Sequence, residues 1–141
     1  ELDGTSMRNM TMFAADSELR AVPGYVLPPT QYEDAVRSIK EELVQNRPVV
    51  AVIHVTEGFM AYRTTTPGDV LNVAGQPVIV ENNQHAQHAI VILGYTEQGL
   101  VIQNSWGTTW GDKGRAVLSW SSARELLIDG FRVKGVVKKP K

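Results

Sequence analysis

His88 and Asn104 stand sixteen residues apart, and the sequence between them reads as two strands joined by a tight turn. The runs 88–95 (HAIVILGY) and 100–103 (LVIQ) are apolar and rich in β-branched residues, and Glu97-Gln98-Gly99 supplies the turn. In such a hairpin both free ends return to one end of the sheet, bringing an imidazole and a carboxamide nearly opposite each other, within side-chain reach. That pair suits acid–base work. One ring nitrogen takes a proton while the other is held by an amide oxygen that does not itself ionise. Asn104 also opens the run Asn104-Ser105-Trp106-Gly107-Thr108-Thr109-Trp110-Gly111. Trp106 is placed to shield the histidine–amide bond from water, which strengthens it. Gly107 and Gly111 let the backbone turn sharply beneath two indoles, Trp106 and Trp110.

A base held in this way activates a thiol, because the thiolate–imidazolium pair makes sulfur nucleophilic near neutral pH. Yet the chain contains no cysteine. Disulfides and thiolate metal sites are therefore excluded, and the redox compartment is left open. Ser6 lies 82 residues before His88 in a Gly-Thr-Ser-Met context and reads as a loop serine rather than a substitute nucleophile. His85 and His88 are too few for a metal site, since the pattern offers no third ligand, and no metal or other cofactor is expected. His54, closing an apolar run, reads as a satisfied core or edge histidine. Asn9-Met10-Thr11 matches a glycosylation acceptor, and Glu81 to Gln84 reads as a solvated loop.

The 141 residues make one domain of ordinary globular composition, 43% hydrophobic and 21% charged. With a net charge of −1 and no basic block, nucleic acid and anionic membrane are poor partners. No apolar run reaches the roughly 20 residues of a membrane span. The lysine-bearing end, Lys134 to Lys141, reads as a solvated terminus. The chain opens at Glu1 without methionine or signal peptide, which fits a processed product or an excised piece.

Residues 1–29 are expected to form an irregular lead-in with one brief strand near Tyr25 to Leu27. Residues 30–141 are expected to form the remaining subdomain. Thr30-Gln31-Tyr32-Glu33 has the form of a capping box, and the apolar stripe after it predicts a helix over 31–46, stopped by Pro48. Val49 to Ile53 predicts a buried strand, 59–63 a weaker element, and 67–69 and 75–77 turns. Strands are further expected at 115–120 and 131–137, with a short helix capped near Ser122 between them. Trp120 reads as core, and Tyr62 as a packing residue. One N-terminal helix followed by hairpin-linked strands implies an α+β domain with a mainly antiparallel sheet or half-barrel.

Residues 48–120 resemble the C-terminal half of the papain-like cysteine peptidases. The resemblance rests on Pro48-Val49-Val50, on Phe59 with Tyr62, on His88-Ala89-Ile90-Val91 with Gly94-Tyr95, and on the run Asn104 to Gly114. It implies His88 as base and general acid, Asn104 as its orienter and Trp106 as the shield. It also implies Val52, Ala86 and Ala89 as walls of a pocket for an apolar substrate side chain. The family's nucleophile lies roughly 130–150 residues before its His and Asn, and only 87 residues precede His88 here. Two readings follow. This is the base-bearing half of a peptidase whose cysteine sits on a second chain or a missing N-terminal half, or it is a non-catalytic binding module or inactive toxin or effector fragment. Either way the face around His88, Asn104, Trp106 and Trp110 is expected to be an apolar patch covered by that second chain or by a homodimer. The resemblance points to a secreted or lysosome-like compartment.

Overall fold

Pro48 ends one element and releases the β-branched run that becomes the centre of the sheet. The structure, a computed structural model, describes residues 11–73, 76–78 and 86–133. Among these lie seven strands: β1 (Thr11–Ala14), β2 (Val49–His54), β3 (Val70–Leu71), β4 (Gln87–Tyr95), β5 (Gly99–Gln103), β6 (Arg115–Ser119) and β7 (Leu127–Arg132). The helices are α1 (Ser17–Arg20), α2 (Pro29–Val44), α3 (Glu57–Met60) and α4 (Trp120–Leu126). The strands form one sheet in the order β1-β7-β2-β4-β5-β6-β3. All neighbours are antiparallel except β3 and β6. The fold class is therefore α+β with a mostly antiparallel sheet.

Strand β2 lies between β7 and β4, and Val49, Ala51 and Ile53 on its inner face are fully buried. They meet Ile90 and Ile92 of β4 and Ile102 of β5, so the period-2 pattern of each strand feeds one continuous core. Helix α2 buries Ala35 and Ile39 at helical spacing, and Tyr32 and Leu43 pack partly against the same core. It begins earlier than expected. Pro28 is the N-cap, Pro29 starts the helix, and no side chain caps it, so the capping box at Thr30–Glu33 is not formed. Proline at the first helical position loses no hydrogen bond and already has the helical φ, which carries the start back past Thr30. The helix stops at Gln45, and Asn46 adopts a left-handed φ of 60° before Pro48.

Three further expectations are corrected. No strand forms at Tyr25 to Leu27; the lead-in instead supplies β1, antiparallel to β7, and α1. Its last residues fold back because Asp129, buried in β7, accepts from the Ala15 N–H at 3.2 Å and pairs with Arg20. Trp120 opens α4 instead of ending a strand. Ser119 is the N-cap, its hydroxyl accepting from the Ser122 N–H at 3.1 Å, and the Trp120 indole is only partly buried. The last strand begins at Leu127, not Phe131, because α4 is only seven residues long. Ser6, His85, the 81–84 loop, residues 134–141 and parts of the 9–11 and 75–77 motifs lie outside the described residues.

Candidate active site

Strands β4 and β5 build the site. Their register pairs Val91 with Gln103, so Asn104 falls level with Ile90 and lies diagonal to His88, two residues along the same face. The offset is two residues from the nearly opposite placement the hairpin implies. It still brings the side chains together: His88 Nε2 lies 2.6 Å from Asn104 Oδ1. Asn104 is 5% exposed, so this bond forms in a largely dry setting.

A neighbouring amide fixes the direction of that bond. The Ser105 N–H donates to the same Asn104 Oδ1 at 2.7 Å. A backbone N–H can only donate, so the atom it meets is the amide oxygen and not the amide nitrogen. His88 Nε2 must therefore carry the hydrogen and donate, which leaves the lone pair on Nδ1. Among the described residues the buried Asn104 Nδ2 finds no hydrogen-bond partner. The fold keeps the oxygen inward even at the cost of an orphaned donor, about 1–3 kcal/mol.

Trp106 covers the pair. Its ring stacks on the His88 imidazole with centroids 4.3 Å apart and planes 22° from parallel. Behind it, Phe59 meets Trp106 edge-on at 5.6 Å and Trp110 at a 44° tilt at 5.0 Å, while Trp110 donates from Nε1 to the Phe59 carbonyl at 2.7 Å. Thr56 caps α3 by accepting from the Phe59 N–H at 3.1 Å, which fixes the backbone carrying that ring. Gly107 and Gly111 have φ of 86° and 60°, as the sharp turns beneath the indoles require. At Gly111 a Cβ would also lie 2.4 Å from the Arg115 carbonyl oxygen, so any side chain there would collide with backbone.

Of the four residues expected on an open apolar face, only Trp106 is more than a third exposed, at 37%. Trp110, at 1%, and Asn104 are interior. Trp110 is a support for Trp106 and part of the core, because its indole N–H finds its acceptor inside. Val52 and Ala89 are register partners across β2 and β4. Ala86 stands apart from them just before β4, bonded through its backbone to Val55 and Val78. His54 is buried and donates from Nε2 to the Tyr25 carbonyl at 2.7 Å. Tyr62 packs its ring edge on Trp110 and donates to Asp69 Oδ2 at 3.1 Å. Burial, with Asp69 adding to it, pushes its phenol up to about 12.

Two features escaped the sequence reading. The Ser105 amide sets the histidine's hydrogen, yet any residue but proline supplies that donor, so no side-chain type signals it. The tie from β4 to the lead-in, Gln87 Nε2 donating to the Arg20 carbonyl at 3.3 Å, joins residues with no local pattern.

An α+β sheet with an imidazole–carboxamide pair at one end and an indole over it defines a fold of the cysteine-peptidase class. The family model for papain family cysteine protease matches residues 14–129, and the chain belongs to that family. Peptidase 1 of Dermatophagoides farinae is 34% identical over 89 residues, covering 59% of this chain and 25% of that protein. Tubulointerstitial nephritis antigen-like of Rattus norvegicus is 27% identical over 121 residues, covering 79% of this chain and 26% of that protein. Xylellain, a cysteine protease from Xylella fastidiosa, is similar in fold, with a TM-score of 0.53 and 20% identity over 78% of this chain and 46% of that one. The chain thus spans about a quarter of the length of the curated relatives it matches. Among the described residues, no helix is long and apolar enough to cross a membrane.

Proposed function

We propose that this chain is the base-bearing half of a papain-like cysteine endopeptidase and meets its nucleophilic cysteine on a partner chain or on an N-terminal half outside these 141 residues. The observation that carries the reading is the bond from His88 Nε2 to Asn104 Oδ1 beneath Trp106, which leaves Nδ1 with its lone pair. In the proposed reaction Nδ1 takes the proton of the thiol, and the thiolate attacks the scissile carbonyl carbon. The imidazolium then protonates the leaving amine as the C–N bond breaks. Water, deprotonated by the same nitrogen, next hydrolyses the thioester. Asn104 holds the ring through both transfers and Trp106 keeps water from the bond that holds it. Val52 and Ala89, paired across β2 and β4, and Ala86 just before β4 favour an apolar substrate side chain on the acyl side. A secreted or lysosome-like compartment suits such an enzyme.

The chain alone has no thiol and is expected to be inactive. The test combines an intact-mass measurement of everything that co-purifies with a thiol-directed peptidase probe. A labelled second polypeptide and peptide hydrolysis that is lost in His88→Ala support the proposal. Hydrolysis at the unaltered rate in His88→Ala would exclude His88 as the base. No labelled species and no hydrolysis would instead leave a non-catalytic binding module on the same fold, a reading the missing cysteine keeps open.

A further inference from the structure

Between the segment after Tyr62 and the loop that follows Trp106, the surface opens into a groove of about 820 Å³. Its floor is backbone. Gly111 N–H donates to the Tyr62 carbonyl at 2.9 Å, and the Thr64 N–H donates to the Gly111 carbonyl at 3.3 Å, so the two walls are stitched along their base. One wall is Thr64 to Pro67, ordered by the Thr66 N–H donating to Thr64 Oγ1 at 3.1 Å. The other is Thr108 and Thr109 with Asp112 and Lys113. Its charge is uneven. Arg63 and Lys113 are exposed cations, and Asp112 is the lining's one carboxylate. Arg63 donates from Nη1 to the Met60 and Tyr62 carbonyls at 3.5 and 2.8 Å, which holds the guanidinium at the rim.

We propose that this groove binds an acidic segment of the polypeptide substrate on the leaving-amine side, with Arg63 and Lys113 as the residues that select it. The inference rests on the catalytic reading above for its direction. Strand β2 lies beside β4, where Val52 pairs with Ala89 next to His88, Trp106 stacks on the His88 ring, and Thr108 follows Trp106 by two residues in the loop after β5. An apolar side chain held at Val52 and Ala89 leaves the departing half of the peptide to run over Trp106. Thr108 is two residues from Trp106, a reach of roughly 7 Å, so a substrate extended about three residues past the cut arrives in the groove. Threonine hydroxyls and methyls line its walls for an extended backbone, and the two cations favour carboxylates there. The path from His88 is what selects a peptide over another polyanion.

The test uses the chain as it is, with a short synthetic peptide carrying glutamates at its C-terminal end, its glutamine counterpart and a sulfated oligosaccharide. Binding is read from backbone amide shifts. The acidic peptide is expected to bind about five-fold more tightly than its neutral counterpart, with shifts at Thr64 to Thr66 and Thr108 to Lys113. Arg63→Gln with Lys113→Gln should erase that preference, and Asp112→Asn should strengthen it. Equal binding of the two peptides, or a preference that survives the double substitution, would overturn the proposal. So would binding of the oligosaccharide alone. Binding without any hydrolysis in the probe experiment would remove the catalytic reading and leave the groove standing, so the two failures are distinguishable.

Discussion

Asn104 makes three demands on its surroundings and the fold meets two of them. Its oxygen receives His88 and Ser105; its nitrogen is buried with no acceptor among the described residues. Turning the amide over would set two donors against each other at Ser105, so the orphaned nitrogen is the lesser penalty. The consequence is a histidine whose hydrogen sits on a known nitrogen and is sheltered by an indole. At a pH where the ring is neutral, the His88 Nε2–H proton should appear as a slowly exchanging resonance in a nitrogen-coupled proton spectrum. Asn104→Ala should abolish it. Trp106→Ala should keep the bond and speed exchange by about ten-fold, since water then reaches it. A proton found on Nδ1 in the unaltered chain would refute the assignment.

Elements held by period were legible in the sequence, while those held by single long-range partners were not. Helix α2 announces itself through the helical spacing of Val36, Ile39 and Leu43, of which Ile39 is fully buried while Ala35 and Glu42 fill the rest of its inner face, β2 through its β-branched run after Pro48, and the β4–β5 hairpin through Gly99. From the hairpin alone, the meeting of His88 and Asn104 follows, though not the diagonal offset. Strand β1 and helix α1 are four residues each, too short for a pattern to rise above chance. They are set by Asp129, which is 1% exposed and pairs with Arg20, whose side chain is 39% exposed. The two ends of that pair should respond unequally. Arg20→Ala strands a buried carboxylate with the Ala15 N–H as its remaining partner among the described residues, and should cost about 2–4 kcal/mol. Asp129→Asn keeps an acceptor and frees an arginine that already reaches water, and should cost about 1 kcal/mol. Denaturant unfolding of both variants checks this, and a larger loss in Asp129→Asn would contradict it. Because Arg20 also holds Gln87 through its carbonyl, the lead-in braces the residue next to His88.

At the scale of the whole molecule, the aromatic support of the site is also a part of the core, which ties global stability to one phenol. Tyr62 lies edge-on against Trp110 at 5.8 Å, and its hydroxyl donates to Asp69. Burial is the main cause that raises this phenol from 10 to about 12, and the Asp69 hydrogen bond and charge act in the same direction. The folded chain therefore keeps a proton that the unfolded chain releases as pH rises past 10. Its contribution to stability is fully present below pH 10 and is lost as pH climbs through the interval to about 12. Tyr32, raised by burial with Arg124 opposing, adds a slope of the same sign. Urea unfolding in this alkaline range should show stability falling with pH in the unaltered chain and falling less steeply in Tyr62→Phe, with a residual slope from Tyr32. Part of Tyr62 faces water, so the difference between the profiles should be modest and should vanish below pH 10. Parallel profiles across the whole interval would mean that the phenol titrates alike in both states, and that the Asp69 bond does not hold it.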